Sequence, residues 1–258
     1  MSYDREVAVM ISSAKQAGEL ALKHFRSGRA AEEKEDHSPV TIADRECEIL
    51  ICRRIVEAFP EDGITAEEGS AASSRSGRRW IVDPIDGTRD FVRGNQFWAV
   101  QIALEASGRV VLGVVHFPCL SETLFAVSGA GCYWNETRTR ISDIYRLEKA
   151  ILMISGLKSA WETWGANAVR FLTEECWTVR SYGGSYDVAM LARGMADIWL
   201  SGSGMEWDYA PGRIIAQETG AVYLTNDGSD RIDARNCLIC TPGLEEELRR
   251  ILGIASAK

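Results

Sequence analysis

The residues most able to do chemistry lie in one short stretch, Asp83-Pro84-Ile85-Asp86-Gly87-Thr88, which follows the apolar run Trp80-Ile81-Val82. Pro84 fixes its own φ near about −65°, and Gly87 supplies a positive φ, so two carboxylates are held on one tight turn. A backbone carbonyl such as that of Ile85 can point the same way. Hard divalent cations such as Mg²⁺ take oxygen ligands in this kind of arrangement. The N–H groups beyond the turn and the Thr88 hydroxyl suit a phosphate group at a helix N-terminus. Further carboxylates stand elsewhere: Glu67 and Glu68 on an apparent loop spanning Ile64 to Gly69, Asp208 after Trp207 at the start of a helix, and Asp44 in Thr41-Ile42-Ala43-Asp44. Each has a plainer use. An isolated D-P-x-D is more often a solvated Asx-type turn, and adjacent acids are usually solvated surface. Asp208 can serve as an N-cap, with Pro211 in the first turn where a missing N–H costs nothing, and Asp44 has the N3 place of a capping box.

The elements that must position these acids are legible from periodicity. Val7, Met10, Ile11, Ala14, Ala17, Ala21 and Phe25 recur at helical spacing, as do Cys47, Leu50, Ile51, Ile55 and Ala58. A polar connection from Gly28 to Pro39 separates the two helices, and the second begins at the capping box. Beyond Pro60, the strand Trp80–Val82 runs into the acidic turn. Phe97 to Leu104 alternates, Ser107-Gly108 turns the chain, and Val110 to Val115 returns as a hairpin partner. Thr123–Val127 continues the meander until Gly129 and Gly131 break it. From about Ala150 the pattern predicts strand Ile151–Ile154, helix Trp161–Leu172, strand Trp177–Ser181, helix Ser185–Arg193 and strand Ile198–Leu200. A helix from Trp207 to near Gly220 and strands Ala221–Leu224 and Leu238–Cys240 complete it. Blocks of helices and antiparallel strands predict an α+β fold of layered helices and sheets, not a doubly wound parallel sheet. Two halves are expected within one compact body. Residues 1–145 form an N-terminal α+β half carrying most of the acids, and residues 146–258 a C-terminal α/β half carrying Asp208.

Taken together, the acidic motifs resemble those of the inositol monophosphatase family of Mg²⁺-dependent, lithium-sensitive phosphatases. The signature W-x-x-D-P-x-D-G-T-x-x-F stands unbroken as Trp80 to Phe91, and W-D-x-A-x-G as Trp207 to Gly212. The Glu67-Glu68 loop and the V-T-x-A-D segment from Val40 to Asp44 occur in the same order, and the resemblance covers about residues 5 to 245. It implies a layered αβαβα sandwich of the inositol monophosphatase/fructose bisphosphatase type, usually a homodimer, hydrolysing a small phosphate ester with metal-activated water. It further implies one metal on Glu67, Asp83 and the Ile85 carbonyl, and a second on Asp83, Asp86 and Asp208, with a third ion near Glu67 in many members. Gly87 and Thr88 would contact the phosphate, Thr88 and Asp44 with Glu67 would serve the attacking water, and Gly183-Gly184-Ser185 would face the substrate.

Substrate choice departs from the inositol pattern. Inositol-acting members tend to carry a Glu some seven residues before the W-D aspartate, where this chain has Ser201, although Glu206 lies nearby. Asp90 stands where inositol-type members often have Asn. The segment Asp36 to Thr41 and the run Tyr182-Gly183-Gly184-Ser185-Tyr186 look more like members acting on histidinol phosphate, although that branch usually has an acid and a Cys at Gly184 and Ser185. The alternatives are thus inositol-type hydrolysis, histidinol-phosphate hydrolysis, or a non-catalytic binding protein of the same fold.

Composition narrows the classes. The 258 residues are 46% hydrophobic and 26% charged, with a formal net charge of −8. That balance disfavours nucleic acid and anionic membrane as partners, because both require a basic face. No apolar run approaches the roughly 20 residues needed to span a bilayer, the polar N-terminus does not read as a signal peptide, and seven scattered cysteines do not form a disulfide framework. A cytoplasmic location is the expectation. Cys237-Leu238-Ile239-Cys240 has C-x-x-C spacing but looks like buried strand. With only His24, His37 and His116, imidazole chemistry is poorly supplied.

Overall fold

A computed structural model describes residues 3–27, 31–33 and 39–255. In chain order the elements are α1 (Asp4–Ser27), β1 (Ala31–Glu33), β2 (Pro39–Thr41), α2 (Ile42–Ala58), β3 (Gly63–Ala66), β4 (Ala71–Ala72), β5 (Arg78–Asp86) and α3 (Thr88–Arg93). A meander follows: β6 (Ala99–Ala106), β7 (Arg109–Phe117), β8 (Glu122–Val127), β9 (Gly131–Trp134) and β10 (Thr137–Thr139). The remainder is β11 (Ile151–Ser155), α4 (Leu157–Trp164), α5 (Ala166–Glu175), β12 (Thr178–Arg180), α6 (Gly184–Ala192), β13 (Ile198–Ser201), α7 (Glu206–Thr219), β14 (Val222–Leu224), β15 (Cys237–Cys240) and α8 (Glu245–Leu252).

Eight strands form one sheet in the order β10-β9-β8-β7-β6-β5-β3-β4, antiparallel except for β3 with β5. Five form a second, mixed sheet in the order β12-β11-β13-β15-β14. The buried residues show how these sheets are layered. Met10, Ala14 and Ala17 of α1 and Cys47, Ile51 and Ile55 of α2 cover one face of the large sheet through Val82, Val100, Ile102 and Leu104. The other face meets α6 and α7, whose Val188, Tyr209 and Ile215 also pack on Met153, Trp199 and Ile239 of the small sheet. The far side of the small sheet, through Leu152, Leu200 and Leu238, is closed by Ala160, Val169 and Leu248 of α4, α5 and α8. Five layers result, alternating helix and sheet, as the α+β αβαβα reading expected.

Several local expectations need correction. Ile64 to Ala66, read as loop, is strand β3, and the turn begins only at Glu67. The segment read as one helix, Trp161–Leu172, is two, because Gly165 at φ 86° breaks the chain between α4 and α5. Ala99 to Leu104 is buried at every position rather than alternately, since β6 has helices on both faces. Short strands β1, β2, β9 and β10 carried too little pattern to be read, whereas helix α8, with Leu248, Ile251 and Leu252 at helical spacing, was legible but lay outside the reading. The lone C-x-x-C is split by strand periodicity: Cys237 faces the α6–α7 layer and Cys240 the α8 side, so the two thiols do not converge.

Candidate active site

The two aspartates of the turn share a side of β5 because the strand is irregular there. Asp83 pairs with Gln101 and Asp86 with Ala99, so three steps along β5 face two along β6. In a regular strand, residues three apart point to opposite faces; the extra residue brings both carboxylates to one. Asp83 Oδ1 also accepts the N–H of Ile85 at 3.0 Å, an Asx-type turn inside the metal motif. Thr88 Oγ1 donates to the Ile85 carbonyl at 3.2 Å. Gly87 has φ 85°, and a Cβ there would stand 3.2 Å from the Phe97 carbonyl, so the turn needs glycine on both counts. The base of β5 is fixed by Trp80, whose Nε1 donates to Asp62 at 2.9 Å and whose ring stacks on Phe59.

Asp208 reaches the same place from α7. The helix starts at Glu206, one residue before the Trp207 of the sequence reading, and Met205 holds the N-cap position, so Asp208 is not the N-cap. It is the third helical residue and accepts the Met205 N–H at 2.5 Å. Pro211 accordingly sits past the first turn, inside the helix, where its missing N–H does forfeit a backbone bond. Carboxylate oxygens of Asp83, Asp86 and Asp208 all lie within 4.8 Å of one another. Glu67 joins them, since it stands close enough to Asp83 to share a hydrogen bond and raise its pKa.

The electrostatics of this group are those of acids crowded together. Asp83 is 1% exposed. Burial, then the charges of Glu67, Asp86 and Asp208, push its carboxyl well above the ordinary carboxylate range. Asp86 is also raised by burial, although the Ser185 N–H and hydroxyl hold it down. Among the described residues, no Lys or Arg forms an ion pair with Asp83 or Asp86. Buried and half-buried carboxylate oxygens converging in this way fit a hard divalent metal ion, which supplies positive charge to Asp83 and Asp86.

The remaining predicted residues fall at varied distances from this centre. Ser185 does meet it, but through Asp86: its N–H donates at 3.0 Å and its hydroxyl makes a second, short bond to the same oxygen. Gly184 allows that approach, since a Cβ there would lie 3.1 Å from Asp86 Oδ2. Gly183, the N-cap of α6, faces Asp90 Oδ2, and Asp90 Oδ1 accepts from Asn95 at 2.6 Å. Asp44 closes the predicted capping box, its Oδ2 accepting the Thr41 N–H at 2.8 Å and the Thr41 hydroxyl at 2.5 Å. Ser201 is buried at the end of β13, 2.9 Å from the Tyr209 hydroxyl. Glu206 bonds Arg79, which also holds Glu105. Asp36, His37 and Ser38 lie outside the described residues.

Of the buried acids that escaped the sequence reading, two stand next to segments of this site. Glu48 is 2% exposed on α2 and accepts the N–H groups of Glu68 at 2.6 Å and Ser70 at 2.8 Å. Its signal was available: an acid one turn after Asp44, within the stripe Cys47, Ile51 and Ile55 that faces the core. Asp187 on α6 accepts the Tyr182 N–H at 2.9 Å and the Ser155 hydroxyl at 3.1 Å, and burial pushes it up from 3.8 to about 6.

Comparison with known proteins agrees with this geometry. The family model described as "Inositol monophosphatase family" matches residues 3–256. A histidinol-phosphatase of Chlorobaculum parvum is 35% identical over 90% of this chain and 89% of its own length. Inositol monophosphatase 2 of Solanum lycopersicum is 33% identical over 87% and 88%. The solved structure of Thermotoga maritima IMPase superposes with a TM-score of 0.87, at 27% identity, over 98% of this chain and 97% of that one. With the fold, the acid cluster and the family match in agreement, the chain belongs to the inositol monophosphatase family and is a phosphoric monoester hydrolase.

Proposed function

We propose that this chain hydrolyses a small phosphate monoester with Mg²⁺ held by Glu67, Asp83, Asp86, Asp208 and the Ile85 carbonyl, and that histidinol phosphate is its preferred substrate class. Bound metal ions would polarise the phosphoryl group, lower the pKa of a water and balance charge on the departing oxygen. The chain's own residues supply the positioning. Gly87 and Thr88 open α3 with N–H groups for the phosphate, and Ser185 fixes one oxygen of Asp86 so that the other is presented to the ligand. Thr88 Oγ1, which here donates a hydrogen bond to the Ile85 carbonyl, would turn to orient the attacking water, with Asp44 as the partner that receives a proton. Two or three ions and a homodimer complete the reading carried over from the family.

The substrate preference rests on one observation. The place where a polyol-gripping acid is expected holds Ser201, buried on Tyr209, and the nearby Glu206 is committed to Arg79. Ser201 brings no carboxylate and Glu206 is held by Arg79, and a site lacking the gripping acid gives up discrimination in favour of inositol. Asp90, with one oxygen facing Gly183, would attract a substrate ammonium. The histidinol-phosphatase relatives support the same choice. A panel of phosphate monoesters compared by kcat/KM tests it: histidinol phosphate should exceed myo-inositol 1-phosphate at least about tenfold, a difference of about 1.4 kcal/mol in transition-state binding. A preference for the inositol ester would refute it.

A further inference from the structure

The loop that presents Glu67 is held at both ends of a four-residue span. The Glu67 N–H donates to the Val82 carbonyl at 3.1 Å, next to Asp83. From the helix side, the two oxygens of Glu48 each take one amide, Oε2 that of Glu68 and Oε1 that of Ser70. Among the described residues no Lys or Arg pairs with Glu48, so these backbone donors are what the structure offers its buried charge. Burying a carboxylate is costly unless hydrogen bonds replace its water, and bonds to a charged acceptor are the strong ones. A turn could be closed more cheaply by a neutral side chain. What the carboxylate adds is a fixed course for the backbone at Glu68 and Ser70, on either side of Gly69 with its φ of 105°.

We infer that Glu48 is a positioning residue that clamps the Glu67–Ser70 loop and so sets where Glu67 stands relative to Asp83. The inference rests on the proposed role of Glu67 as a metal ligand. It assigns α2 two tasks, with Asp44 and Glu48 one helical turn apart on the same face. Replacing Glu48 by Gln keeps the size but turns one acceptor into a donor that faces an amide N–H. The loop should loosen, and Glu67 should be presented less well.

The test is the Mg²⁺ concentration needed for half-maximal effect, read in two ways for Glu48→Gln. One is activity against Mg²⁺; the other, without substrate, is the rise of Tm with Mg²⁺ alone. Both midpoints should move upward together by about tenfold or more. KM for the phosphate ester at saturating Mg²⁺ should change less than about twofold, and Glu48→Asp, which keeps the charge, should recover part of the shift. Glu67→Gln is measured alongside. If it leaves the Mg²⁺ midpoints unchanged, the ligand assignment of Glu67 fails. If it shifts them while Glu48→Gln does not, the ligand stands and the Glu48 inference is overturned. A Glu48→Gln protein with lowered Tm but unchanged Mg²⁺ midpoints, or two Glu48 variants that do not fold, would mark the residue as structural and overturn it equally.

Discussion

Replacing Asp83 by Asn should weaken catalysis and strengthen the metal-free fold at once. Asn keeps the shape, and its side-chain carbonyl can still accept the Ile85 N–H that Asp83 takes at 3.0 Å. What is lost is a charge beside Asp86 and Asp208. Carboxylates whose oxygens lie within 4.8 Å repel by at least about 3.5 kcal/mol per ionised pair at an effective dielectric of about 20. Part of that repulsion is relieved by protonation, because burial and the neighbouring acids raise Asp83. A net gain of about 2–4 kcal/mol in the metal-free protein is therefore expected, roughly 5–15 °C in Tm for a chain of this size. With Mg²⁺ the order should reverse: wild type gains stability by binding, and Asp83→Asn gains little. Specific activity should fall at least about 10³-fold, equivalent to roughly 4 kcal/mol of transition-state stabilisation. The assay is thermal denaturation of both proteins in EDTA and in excess Mg²⁺, paired with phosphate release. An Asp83→Asn protein that is less stable than wild type in EDTA, yet equally active, would refute the reasoning and make the turn purely structural.

Other outcomes follow from the same electrostatics. Because the metal-free fold raises Asp83 and Asp86, protons compete with the cation. Apparent Mg²⁺ affinity should rise with pH, with proton release on binding seen by calorimetry in buffers of different ionisation enthalpy; affinity flat between pH 5.5 and 8 would contradict it. Asp187, raised from 3.8 to about 6, favours the fold in its protonated form. Its contribution is complete below the unfolded value and lost as pH rises through about 6, a change of at most about 3 kcal/mol. The Tm of Asp187→Asn relative to wild type should therefore climb between pH 4 and 7, and a constant difference would count against this origin.

The legibility of the site followed chain locality. Asp83, Asp86, Gly87 and Thr88 form one contiguous turn, and the capping box at Thr41 and Asp44 is set by residues three apart, so both stood out locally, although the family resemblance of the motifs together marked the turn as a metal site. The strand irregularity that brings Asp83 and Asp86 to one face depends on pairing with β6, and no local pattern shows it. Asp208 was found, but its helix was started late, because Met205 caps without the usual side chain and Glu206 reads equally well as loop. Glu48 and Asp187 act on backbone 20 and five residues away, respectively. Apart from the Ser155 hydroxyl on Asp187, their partners are peptide groups, which no sequence pattern names. For the fold, α1, α2 and the meander were plain from periodicity. The burial of β6 on both faces was not, since it needs α7 from more than a hundred residues later.

The most direct measurement is phosphate release from histidinol phosphate by protein stripped with EDTA, then titrated with Mg²⁺. The account expects no turnover above background in EDTA, full recovery on Mg²⁺ addition, and no recovery in Asp83→Asn or Asp208→Asn. Undiminished turnover in metal-free buffer, or full Mg²⁺-dependent activity without those two carboxylates, would contradict the claim that this acid cluster is the catalytic centre.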